Sequence, residues 1–211
     1  MTSTSLSARE ELANSLSHGI GLIAAMVATP VLIVGATQGG DAGDIVGRSV
    51  FGAALVVLYL ASTCYHASPA GRLKEWLRRL DHAAIYVLIA GTYTPFTLGV
   101  LRGAWGWSLF GIVWGAAAVG VCTKLITGIR YPRVSTAIYL LMGWLIIVAA
   151  GPLVQAMPAR GLQWLLLGGA IYTVGVPFFA ARRLPYTHFP WHIFVLAGST
   201  CHFFAVMWYA A

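Results

Sequence analysis

The stretch Tyr186–Phe194, YTHFPWHIF, places His188 and His192 four residues apart at the mouth of an apolar run that continues to Ala211. Crossing the hydrocarbon of a bilayer takes about 20 apolar residues of helix, and the run from Phe189 to Tyr209 is long enough to do so. The stretch therefore predicts a membrane helix whose first turns carry two titratable rings. Composition extends the same reading outward: of 211 residues 59% are hydrophobic and 9% charged, against about 25% charged in ordinary soluble chains. The 24 glycines suit helices that pack closely in lipid through small residues.

Six further runs have the length to span: Ser17–Ala36, Val46–Tyr65, His82–Leu101, Trp105–Ile126, Ser135–Val154 and Leu162–Ala181. The gaps are short and hold the charges and turn formers, as in SPAGRLKEWLRRLD and TGIRYPRV. The expectation is an all-α integral membrane protein, a seven-transmembrane helix bundle forming one domain over residues 1–211, with no room for a second, water-soluble domain. The polar start MTSTSLSAREELANSLSHG does not read as a signal peptide. The three cysteines, Cys64, Cys122 and Cys201, form no CxxC and suggest neither a disulfide framework nor a cysteine metal site. The net charge of +7 comes from residues scattered between apolar runs rather than clustered with aromatics, so no nucleic acid partner is expected.

Positive residues orient the bundle. Arg9, Arg72, Lys74, Arg78, Arg79, Lys124, Arg130, Arg133, Arg182 and Arg183 fall on the side of the N-terminus, ten against the three of Arg48, Arg102 and Arg160. The N-terminus is therefore expected to be cytoplasmic and the C-terminus external.

That topology brings five of the six histidines to the cytoplasmic ends of their helices: His18, His66, His82, His188 and His192. Only His202 differs, about 15 Å deeper at 1.5 Å per residue. Asp81 lies at the cytoplasmic level, Ser62 sits one helical turn before His66, and Glu11, Asn14 and His18 share a polar edge if the first helix starts early. Ionisable groups inside membranes are costly and usually mark a pathway, relay or ligand site. Histidines at i and i+4 can share an ion, and a third from another helix completes the pattern of a catalytic zinc site with an open position. Water there becomes a nucleophile near neutral pH, Asp81 is placed to orient or deprotonate it, and Ser62 to support it. Spacing alone leaves a metal site, a proton relay and plain packing all open, because the residue before Pro190 is pushed from helical angles. His82 and His202 read as hydrogen-bonded or interfacial residues, Trp191 as an interface anchor, and Thr94-Pro95 as a local kink. The echo between STCYH (Ser62–His66) and STCH (Ser199–His202) reads as chance.

The ordered motifs ELANSLSHGIG, STCYHAS, LDHAAIYVLIAGTYTPF, HFPWHIF and CHFF resemble those of the hemolysin III family, the bacterial branch of the progestin and adipoQ receptor superfamily, over nearly the whole chain. The resemblance implies a seven-helix fold with a cytoplasmic N-terminus. It also implies a Zn²⁺ ion held by His66 of an SxxxH motif and by His188 and His192 of an HxxxH motif, with Ser62 the motif serine and Asp81 near the reacting water. Alkaline ceramidases in the wider superfamily point to hydrolysis of a membrane lipid amide or ester. The long N-terminal region of the eukaryotic receptors is missing, which argues against a hormone receptor. A compact bundle with ten positive charges on one side does not look like a secreted cytolysin. Beside the hydrolase stand a non-catalytic sensor or regulator of membrane state with structural zinc, and an ion or proton pathway.

Overall fold

The computed structural model describes residues 7–181 and 187–211. Met1 to Leu6, Arg182 and Arg183 of the charge count, and Tyr186 of the opening stretch lie outside the described residues. Those described are helical throughout apart from turns: α1 Ala8–Thr37, α2 Ala42–Ala67, α3 Arg72–Leu98, α4 Ala104–Thr127, α5 Pro132–Trp144, a 3₁₀ turn Leu145–Ala149, α6 Ala150–Ala156, α7 Ala159–Ala180 and α8 His188–Tyr209.

Local chemistry sets the ends. The Ser7 hydroxyl accepts from the Glu10 backbone N–H at 3.2 Å while the Glu10 carboxylate accepts from the Ser7 N–H at 2.8 Å, a capping box that starts α1 well before the apolar run. This early start puts Glu11 and Asn14 on the helix with His18. Asp41 caps α2 by accepting from the Asp44 N–H at 3.0 Å, and that bond holds the Asp41 carboxyl below its usual range. Gly128, at φ +67°, ends α4 in the left-handed conformation that glycine tolerates best.

The burial pattern is that of a chain solvated by lipid. Ile20, Ile23, Met26, Val27, Val119, Ile126 and Leu141 face outward, while Asn14, His18, Ser62, Thr94, Thr97 and His192 are buried. A large continuous apolar exterior is unfavourable in water, and helices satisfy their own backbone groups in hydrocarbon. Among the described residues six helical segments are long and apolar enough to cross a membrane: α1, α2, α4, the α5–α6 unit Pro132–Ala156, α7 and α8. The third expected run is helical but does not join that set. The helix that carries it, α3, starts ten residues before the run, and its first turns hold Arg72, Lys74, Glu75, Arg78 and Arg79. From His82 to Thr97 it is mostly buried, with Thr92, Tyr93, Thr94 and Thr97 inside, so protein rather than lipid surrounds it. α3 packs chiefly between α2 and α4, while α1 packs on α2 and α8 and α7 on α8. The α2–α3 crossing is close because Gly47 faces Pro95, and a Cβ there would stand 2.6 Å from the proline Cα.

The fifth run is long and apolar enough to span, as expected, but it is built from two α-helices joined by a 3₁₀ turn. The Tyr93 hydroxyl enters its ladder, donating to Met142 O at 2.8 Å and accepting from Ile146 N–H at 2.8 Å. The backbone takes up the 3₁₀ turn beside this side chain. Trp191 is not an interface anchor: its ring lies 5.0 Å from that of Phe179 and lines the interior cavity, because it shares a helix face with His188, one turn before it.

Candidate metal centre

α8 begins at His188, so Pro190 occupies its first turn, where no intrahelical donor is lost. His188 and His192 are therefore both helical and stand one turn apart, with ring centroids at 4.8 Å. His66, in the last turn of α2, completes the group at 5.2 Å from His188 and 4.9 Å from His192. One nitrogen from each ring lies within 4.8 Å of the others, close enough for one ion to be reached by all three.

Hydrogen bonds decide which nitrogens face inward. His66 Nδ1 lies 2.7 Å from Glu11 Oε2, and its buried Nε2 has no protein partner among the described residues. Glu11 is itself held by Lys74 Nζ at 2.9 Å from its other oxygen. His192 Nδ1 donates to the Asn14 carbonyl at 3.1 Å and lies 3.0 Å from Ser17 Oγ. With both Nδ1 positions engaged, both Nε2 lone pairs are left to ligate. A carboxylate or carbonyl behind the ring is the usual support of a metal-bound histidine. The three-histidine group thus fits a divalent ion that favours nitrogen ligands. Glu11 and Asn14, seen in sequence only as a polar edge, are the groups that support His66 and His192. Ser17 and Lys74 were not singled out by sequence, although Ser17 follows Asn14 by one helical turn.

His18 stacks face to face on His192, ring centroids 3.5 Å apart and planes 11° apart. Its two nitrogens, both side-chain atoms of Asn14, and the hydroxyls of Ser62 and Thr63 are buried with no protein hydrogen-bond partner among the described residues. Buried polar atoms are normally paired, so the space beside the three rings is suited to water or a polar ligand. His82 lies apart from the group, its ring 5.6 Å from Phe179.

Ser62, Asp81, His18, His188 and His192 line one end of a cavity of about 140 Å³. Beyond them the wall becomes apolar through Ile85, Leu88, Ile89 and Val195, reaching Leu165, Tyr172 and His202. Asp81 is half-buried in that wall. Asp81 and Ser62 thus share the cavity lining with two of the three histidines.

Fold and site together define a multi-pass helical membrane protein with a buried histidine group that could hold a metal ion at one end of an apolar cavity. The chain belongs to the haemolysin-III related family, whose sequence profile it matches over residues 6–203. It is 44% identical over 201 residues to the hemolysin-3 homolog of Bacillus subtilis, covering 95% of this chain and 94% of that one. It is also 44% identical over 209 residues to hemolysin-3 of Bacillus cereus, covering 99% and 95%. Human monocyte to macrophage differentiation factor is 29% identical over 213 residues, covering 95% and 84%.

Proposed function

We propose that this protein is a zinc-dependent hydrolase of a lipid amide or ester at the cytoplasmic leaflet of a bacterial inner membrane. The observation that supports this reading is that Asp81, Ser62, His188 and His192 all line one cavity, the two histidines being grouped with His66. In this reading α3 is the seventh span, the whole chain is one transmembrane unit, and the ten-to-three excess of positive residues puts the N-terminus and the histidines on the cytoplasmic side.

His66, His188 and His192 would hold the ion, with Glu11 and the Asn14 carbonyl fixing two of the rings. A bound zinc would supply Lewis acidity toward water or a lipid carbonyl. Asp81 takes the proton of the attacking water and returns it to the departing amine or alcohol. The Ser62 hydroxyl, with no protein partner among the described residues, donates to the substrate carbonyl oxygen. Ile85, Leu88 and Ile89 receive an acyl chain and keep bulk water from the reacting bond. Such a substrate would enter sideways from the inner leaflet at headgroup depth.

Turnover of ceramide-like and acylated lipids by the purified protein tests this reading, with Asp81→Asn as the decisive variant. The amide is nearly the same size but cannot take a proton, and loss of a general base costs about 10²- to 10⁴-fold in rate. The expected result is near-parental metal content and melting temperature with turnover lost. Undiminished turnover in the variant, or none by the parent on any such lipid, defeats the hydrolase.

The second reading is a sensor or regulator of membrane state in which zinc only clamps helices. The link from Glu11 on α1 through His66 on α2 to His192 on α8 favours it. Under that reading Asp81→Asn changes little. An ion or proton pathway finds fewer supporting groups: Asp81 and the histidines His18, His188, His192 and His202 share the cavity lining with a mostly apolar set that includes Ile85, Leu88, Ile89 and Val195.

A further inference from the structure

The end of the cavity away from the three histidines is not wholly apolar. His202 lines it and is 6% exposed. Its Nε2 is committed to α7, donating to the Leu165 carbonyl at 3.2 Å. Gly168 lets the ring sit there, since a Cβ at that position would come within 2.7 Å of Nε2. A neutral ring that donates from Nε2 has Nδ1 as an acceptor, and Nδ1 is buried without a protein partner among the described residues.

Tyr172 packs beside that ring, centroids 5.4 Å apart, and its hydroxyl, like those of Thr92, Thr173 and Tyr93 elsewhere on the cavity lining, already has a partner. Tyr172 Oη lies 2.8 Å from Ser199 Oγ, and Thr92 donates to Leu88 O at 2.8 Å. Thr173 donates to Gly169 O at 2.7 Å, and Tyr93 serves the break after α5. A leucine or phenylalanine would fill the same wall without a stranded acceptor, whose burial costs stability. His192 and His202 both line the cavity, about 15 Å apart along α8.

We propose that His202 is a second polar station for the ligand of this cavity, accepting a hydrogen bond from a hydroxyl carried partway along a hydrocarbon chain whose polar head lies at the three-histidine end. The proposal rests on the cavity receiving a lipid chain but not on that lipid being hydrolysed. It also gives a physical role to the second half of the STCYH and STCH echo: Ser62 lines one end and His202 the other.

Binding to the purified full-length protein tests it, with two probes: a long-chain saturated fatty acid bearing a hydroxyl in its distal half, and the same acid without the hydroxyl. The parent should bind the hydroxy acid about tenfold more tightly, the effect of satisfying one buried acceptor. His202→Leu should bind the two acids equally, and His202→Gln, which can still accept, should keep part of the preference. Equal affinities in the parent, as expected if Nδ1 only holds water, overturn the proposal whether or not the leucine variant folds. An undiminished preference in a folded His202→Leu overturns it as well. Failure of the parent to bind either acid removes the lipid-chain reading of the cavity and the station with it, whereas binding without turnover leaves the station standing and removes only the hydrolase.

Discussion

At the scale of single residues, Glu11 explains why His66 can be a ligand. Its carboxylate takes one ring nitrogen at 2.7 Å and is held from behind by Lys74 at 2.9 Å, which fixes both the tautomer and the aim of the ring. Groups that support metal ligands in this way are typically worth 10- to 100-fold in metal affinity. Glu11→Gln should therefore weaken zinc binding by about that factor while leaving the helices intact, as read by competition with a chromophoric chelator and by thermal melting. Unchanged affinity would reduce Glu11 to an interhelical tie. The polar edge of Glu11, Asn14 and His18 was legible in the sequence from spacing. The stacking of His18 on His192 and the support from Ser17 were not, because they depend on how α1 is rotated against α8. Trp191 was misread for the same reason: terminal position suggested the interface, but its helix face is the one that carries His188.

Among the elements, the broken fifth segment shows where sequence reading stops. Ser135–Val154 is largely apolar, and although Gly143 and the Gly151-Pro152 pair flank the break, nothing in Leu145–Ala149 itself marks it. The partner that sits in its ladder is Tyr93, on α3, which no local pattern connects to Met142 and Ile146. Tyr93→Phe removes the one hydroxyl that serves both backbone groups, and a buried polar group left unpaired costs about 1–3 kcal/mol. The variant should melt below the parent and show faster hydrogen exchange around Ile146. A melting temperature at or above that of the parent would mean that the break maintains itself without the tyrosine. The weak hydropathy of α3 has a related cause. Its charged first turns and buried threonines were visible in the sequence, but only the packing between α2 and α4 shows that this helix is largely shielded from lipid.

On the scale of the whole molecule, the charge asymmetry predicts which leaflet the site faces. A reporter fused after Ala211 should read external, and one inserted at Gly71 cytoplasmic. The reverse pair of results would move the histidines to the other leaflet. The central claim, however, is that two helix ends meet to hold a metal: the last turn of α2 with His66, and the first turns of α8 with His188 and His192. Elemental analysis of the purified protein tests it most directly. The account predicts about one zinc per chain, as three nitrogen ligands with an open position require, and loss of that zinc in a folded His188→Ala, His192→Ala variant. Metal content that is negligible in the parent, or unchanged in the double variant, would contradict it.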